Sequence, residues 1–206
     1  MAEGTSENRS WWWWAVMTEL SLVPIAYLAG WLSGSPPCWH PGGEDSPSRA
    51  LLGCLAGGAA VVPLLAGYFA LDKSRWEPIV QIKQLVAELA RRLCGDCTVA
   101  EVALLALVAG FSEELAFRGW LQNWLAHVAG NTTFGTAWAL IAAGLVFGLF
   151  HAVSPLYFLL ASLVGIYLGL VYLLTGTLEA AVVAHALYDF LALLRLRAAP
   201  VSGARQ

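Results

Sequence analysis

An all-α bundle of membrane-spanning helices is the fold class this sequence predicts, and three observations predict it. The 206 residues are 59% hydrophobic and only 12% charged, with a mean hydropathy of +0.67. Apolar runs recur along the chain, each near the ~20 residues needed to cross a hydrocarbon core. No strand alternation recurs often enough for a barrel, and in lipid only helices and closed barrels satisfy every backbone polar group. The expectation is a polytopic bundle of about six transmembrane helices plus one amphipathic interfacial helix. A net charge of −3 and the lack of a basic face exclude a nucleic-acid partner. The partner this composition points to is the lipid bilayer.

Taken in order, the spans run over roughly 12–33, 50–71, 99–126, 135–153, 156–174 and 178–195. The first ten residues, MAEGTSENRS, are polar and acidic, unlike the positive start of a cleaved signal peptide. Trp11 to Trp14 then form an aromatic cluster suited to anchoring the first helix at the interface. Glu19 is an extra acid within that apolar helix. Between the second and third spans, Ile79, Ile82, Leu85, Val86, Leu89 and Leu93 recur at helical spacing, with Lys73, Arg75, Lys83, Arg91 and Arg92 around them. That pattern predicts an amphipathic helix on the membrane surface. Pro155 breaks the fourth span from the fifth, and Thr175-Gly176-Thr177 turns the fifth into the sixth.

Basic residues orient the bundle. With the N-terminus inside, Arg9, the cluster at 73–92, and Arg195, Arg197 and Arg205 all lie on the cytoplasmic side, leaving Arg49 outside. Both termini are then cytoplasmic. The chain divides into a two-span N-terminal region with its cytoplasmic amphipathic helix (1–98), a core (99–195) and a cytoplasmic tail (196–206). Cys94-Gly95-Asp96-Cys97 has the spacing of half a zinc site or a redox pair, but lacks a second half, and reads as two ordinary thiols. Cys38 and Cys54 fall near the outer face.

The residues able to carry chemistry are concentrated in the core. Glu113, Glu114 and Arg118 interrupt an otherwise uncharged run, where each charge at the bilayer centre costs roughly 2.5–3.5 kcal/mol. Glu114 and Arg118 are four apart and share a helix face, whereas Glu113 points about 100° away. One carboxylate is thus paired while its neighbour stays available, the division that acid–base catalysis needs. Phe147 and His151 share a face of a second span, and His185 and Asp189 a face of a third. Asp189 is placed to fix the His185 tautomer. Glu113, Glu114, His151 and His185 also form a donor set suited to a divalent metal such as zinc, so the cofactor is left open between none and such a metal. His40 and His127 fall at or near loops and read as ordinary. In this simple span picture Glu113 lies mid-membrane, His151 near the inner end and His185 nearer the outer end, so offset, tilted or broken helices are needed for them to meet.

Glu-Glu-x-x-x-Arg at 113–118, Phe-x-x-x-His at 147–151 and His-x-x-x-Asp at 185–189 resemble, in order, the three motifs of the CPBP family of CaaX-protease and bacteriocin-processing membrane proteins, also called Abi. The resemblance covers roughly 99–195 and implies a glutamate-dependent intramembrane endopeptidase. By position it implies Glu113 as the base that activates water, assisted by His151, with Glu114 and Arg118 as the supporting pair. His185 and Asp189 fall where the family has its oxyanion-stabilising or metal-contacting pair. Prenyl-protease members often carry asparagine where Asp189 stands, and an ionised aspartate donates no hydrogen bond. Prenylated CaaX termini, bacteriocin leaders and C-terminal sorting tags are the substrate types implied, and a bacterial plasma membrane is the setting. Two other classes fit the same buried polar residues: a non-catalytic scaffold or immunity-type protein, and a proton-coupled transporter using Glu, His and Asp as a relay, with Glu19 available to it.

Overall fold

In the computed structural model, residues 2–41, 43 and 46–198 are described, with the side chains of residues 2–8 excepted; Arg205 and the rest of the tail beyond residue 198 lie outside them. The described residues contain helices and no strand: α1 (Ala2–Ser33), α2 (Pro47–Asp72), α3 (Glu77–Cys94), α4 (Val99–Glu114), a π-helical stretch (Leu115–Gln122), α5 (Asn123–Val128), α6 (Thr133–Phe150), α7 (Pro155–Thr175) and α8 (Leu178–Arg197). The helix starts follow local chemistry. Thr98 and Glu101 close a capping box on α4, while Thr132 accepts from the Gly135 amide at the start of α6. Ser46 and Ser154 cap α2 and α7, each followed by proline at the first helical position. Gly176 ends α7 in the left-handed region at φ 64°, the conformation glycine adopts without strain.

The protein is a polytopic helical membrane protein. Four helices (Arg9–Ser33, Pro47–Asp72, Thr133–Phe150 and Pro155–Thr175) are long and apolar enough to cross a bilayer, and a fifth span is counted if α3 and the helix Val99–Val128, bent by 112°, are taken together. About six were expected. The two expected spans that fail on composition are those carrying the charges: Glu101, Glu113, Glu114 and Arg118 in one, and Glu179, Asp189, Arg195 and Arg197 in the other. Helix α8 is shielded by protein instead, with Ala180, Ala181 and Ala184 fully buried between its neighbours. Small residues make that possible, since lipid supplies no hydrophobic drive between helices and close backbone approach must replace it. A Cβ on Gly57 would stand 2.5 Å from the Ala180 carbonyl, and one on Gly110 would stand 2.8 Å from the Ala186 nitrogen, so α2 and α4 both press on α8.

The same device joins α6 to α7. Gly144 and Gly148 are four apart, and Cβ atoms there would meet Ile166 at 2.4 Å and Ser162 at 2.0 Å. Helix α1 lies along α4: Trp12 and Val16 pack with Val102 and Leu105, and Val23 and Ala26 with Phe111 and Leu115. Arg9 bridges to Glu101, Arg195 to Asp72, and Arg197 reaches the Cys97 carbonyl, so Arg9 of α1, the last turn of α8 and the α2–α3 connection share one end of the bundle. Cys38 lies at the other end, its amide donating to the Gly119 carbonyl.

Helix α3 forms where the periodicity placed it, but its protein-facing side is Ile79, Ile82, Ala87, Ala90 and Cys94, whereas Leu85 and Leu89 are about 40% exposed. The larger residues thus face outward, where a bilayer surface would cover them. Burial pushes the Cys94 thiol up to about 12 and raises that of Cys97 as well. Neither thiol is activated, in keeping with two ordinary thiols.

Candidate active site

Four helices converge where α4 passes into its π-helical continuation. The wider π turn begins at the residue after Glu114, and such turns cluster at functional positions because they re-aim the side chains that follow. Asn123 steadies it, its side-chain amide meeting the carbonyls of Arg118 at 2.8 Å and Gly119 at 3.0 Å and the Tyr172 hydroxyl at 2.7 Å. The pair expected from the spacing is present: Arg118 Nη1 donates to Glu114 Oε1 at 2.6 Å, and both residues are within 1% of complete burial. Arg118 Nη2 donates to the Gly165 carbonyl on α7 at 2.7 Å, and the guanidinium lies 4.6 Å from the centre of the Phe147 ring. A single arginine therefore ties α4, α6 and α7 together.

His185 enters from α8. Its Nδ1 is 2.7 Å from Glu114 Oε1, and its Nε2 is 3.4 Å from Asp189 Oδ2. The stronger contact is thus to Glu114, a partner that the four-residue spacing of His185 and Asp189 gave no reason to expect. Long-range pairing of this kind leaves no trace in local sequence.

His151 follows the last residue of α6. Its Nδ1 is 2.9 Å from the Phe147 carbonyl, which only accepts, so Nδ1 carries the hydrogen and Nε2 of the neutral ring is left with its lone pair. That Nε2 is 3.7 Å from Glu113 Oε2, too far for a hydrogen bond but close enough for one water to touch both atoms. The Phe147 ring stacks on His151 at 4.5 Å and meets His185 edge-on at 5.8 Å, fixing both imidazoles against one apolar wall. Glu113 Oε2 is buried and has no hydrogen-bond partner.

The three motifs therefore meet, despite the different depths expected for them. Glu113 is fourteen residues along α4 from Val99, about 21 Å at 1.5 Å per residue. Helix α6 ends level with it, so the α6–α7 corner stops at the depth of the site instead of the end of the bundle. An open groove of about 400 Å³ flanks this corner, lined by Leu149, Ala152, Val153, Ser154, Pro155 and Phe158. On α1, Glu19 Oε2 is likewise buried and has no hydrogen-bond partner. His40 and His127 stay away; His40 pairs with Glu179 at 3.1 Å.

Among the described residues, no three His, Cys, Asp or Glu side chains gather as a metal-binding group would require. Glu114 Oε1 is taken up by Arg118 and His185 Nδ1, which leaves Glu113 Oε2 and His151 Nε2 as the facing pair of free acceptor atoms.

Residues 96–191 match the family model described as type II CAAX prenyl endopeptidase Rce1-like. This segment is Rce1-like. The match spans all three motifs and agrees with the CPBP resemblance read from them. No curated protein and no solved structure gives a significant match.

Proposed function

We propose that the chain is an intramembrane endopeptidase that hydrolyses a peptide bond near the end of a membrane-associated or lipidated protein or peptide, using water activated by Glu113. The observation that carries this reading is the facing pair of Glu113 Oε2 and His151 Nε2, two proton-accepting atoms 3.7 Å apart in a buried setting. A water between them loses a proton to Glu113 as its oxygen bonds to the scissile carbonyl carbon. The electron pair of the carbonyl moves to its oxygen, giving a tetrahedral oxyanion. Protonated Glu113 then gives that proton to the departing amine nitrogen as the C–N bond breaks, and the second hydrogen of the water leaves with the new carboxyl group.

His185 and Asp189 are the groups assigned to the oxyanion side, where a preorganised donor is typically worth about 10²–10³ in rate. Glu114 and Arg118 hold His185 and the α4–α7 contact in register. The apolar groove at the α6–α7 corner suits a lipid-modified or hydrophobic segment leading to the site. Residues 99–195 form the hydrolytic core in this reading, braced by residues 1–98. The shared end of the bundle, rich in lysine and arginine, is assigned to the cytoplasm of a bacterial plasma membrane. The test is a comparison of protein C-termini in membranes of cells making the parent or Glu113→Gln. Full-length substrates accumulating only with Glu113→Gln support the proposal, and identical sets of termini contradict it.

A further inference from the structure

The loop that follows α1 does more than connect it to α2. Residues 34–40 run as a strap over the end of the bundle where α7 turns into α8. Gly34 opens the strap in the left-handed region at φ 65°, the Ser35 amide returns to the Gly30 carbonyl at 2.9 Å, and Pro36 and Pro37 stiffen the next two positions. Three groups then take hold in succession. The Cys38 amide donates to the Gly119 carbonyl at 2.8 Å, and the Trp39 carbonyl accepts from the Leu178 amide at 2.8 Å. His40 Nε2 lies 3.1 Å from both carboxyl oxygens of Glu179. Gly119 directly follows Arg118 in the π-helical stretch, and Leu178 opens α8 about two turns ahead of His185. Arg118 and His185 are the two side chains that share Glu114 Oε1. The strap thus grips both of the elements whose side chains meet at that one oxygen.

A buried hydroxyl completes the grip. Tyr172 on α7 gives its only hydrogen to the Cys38 carbonyl at 3.0 Å, so its oxygen accepts from Asn123 Nδ2 at 2.7 Å. The same Asn123 nitrogen reaches the carbonyls of Arg118 at 2.8 Å and Gly119 at 3.0 Å. Stretches of π-helix are rare and mostly a single turn long, so one from Leu115 to Gln122 relies on partners outside itself. We propose that the strap, Tyr172 and Asn123 form one lock that sets the spacing of Arg118 and His185 around Glu114, with Tyr172 as a positioning residue for the hydrolysis proposed above, on which this role rests. A misplacement of about 1 Å far from the chemistry can cost about 10²-fold in rate. Loosening the lock therefore slows the chemical step and leaves substrate binding alone. The Rce1-like segment begins at residue 96, so the strap gives the site a support that this segment lacks.

Two readouts test the lock with the full-length protein in lipid nanodiscs. Tyr172→Phe deletes the hydroxyl and Cys38→Pro the amide, groups that bond to Asn123, Cys38 or Gly119 and to none of the reacting side chains. The first readout is cleavage of a farnesylated peptide ending in Cys-aliphatic-aliphatic-X. Each variant is expected to lower kcat about tenfold with KM changed less than twofold, and the double variant to be little worse than either, because both open the same lock. Losses that multiply in the double variant would show two independent contacts and overturn the single lock. The second readout is the nitrogen-15 spectrum of histidine-labelled protein, with the His185 signals identified by their loss in His185→Gln. They are expected to move in Tyr172→Phe and in Cys38→Pro. If Cys38→Pro does not fold, Asn123→Leu takes its place in both readouts. A strap that only braces the fold would reduce the folded fraction, with kcat per folded molecule and the His185 signals as in the parent, and that result would overturn the positioning role. If the parent does not cleave, His185 signals that still move in both variants keep the lock and sink the protease reading, whereas unmoved signals sink both.

Discussion

At the scale of single residues, the site separates two glutamates that are adjacent in sequence. Glu114 is consumed by Arg118 and His185, whereas Glu113 faces His151. Arg118→Ala is therefore expected to harm the fold as well as activity. Removing one member of a buried ion pair costs about 3–5 kcal/mol, and here the Gly165 carbonyl loses its donor too. Thermal unfolding in detergent checks this, and an Arg118→Ala protein as stable as the parent would mean that water reaches Glu114. Asp189 behaves differently. It is the more exposed partner of His185, 3.4 Å away, and Asp189→Asn keeps its shape while adding a donor. That variant should retain cleavage within about tenfold of the parent, whereas Asp189→Ala should lose about 10²-fold, as for a lost orienting or oxyanion group. Equal losses in both variants would show that the negative charge itself is needed.

At the scale of elements, glycine decides which helices can meet. Gly148→Val should separate α6 from α7, because Ser162 and the Phe158 carbonyl already occupy the space a side chain would take. Overpacking of this kind costs about 1–3 kcal/mol. It should also shift His151, which follows α6 directly, so activity should fall more than stability. Cleavage and unfolding measured on one preparation compare the two, and full activity in Gly148→Val would detach the α6–α7 seam from the site. The borders around α7 were legible because Pro155 and Gly176 are local signals, whereas the Thr98–Glu101 box that starts α4 went unread. The Glu114–Arg118 pair was legible for the same reason, as a four-residue spacing. The contact of His185 with Glu114 was not, since it joins segments distant in the chain. Nor was the depth of the α6–α7 corner, which depends on how far α6 slides against α4. The inward face of α3 was only partly legible, because burial there favours small Ala87 and Ala90 over larger Leu85 and Leu89.

At the scale of the whole molecule, Arg9 of α1, the last turn of α8 and the basic connection lie together, opposite Cys38. Membrane-impermeant maleimide should label Cys97 and Cys38 from opposite sides of sealed vesicles, with Cys97 reacting faster as pH rises because burial holds its thiol protonated. Cys94, fully buried, should react only after unfolding. Labelling of Cys38 and Cys97 from the same side would contradict the arrangement of the spans. The most direct measurement of the central claim is cleavage by the purified protein and by Glu113→Gln, followed by mass spectrometry of a farnesylated peptide ending in Cys-aliphatic-aliphatic-X. Release of the terminal residues by the parent, with loss of at least about 10³-fold in the isosteric variant at unchanged thermal stability, is the predicted result. Full turnover by folded Glu113→Gln would contradict it.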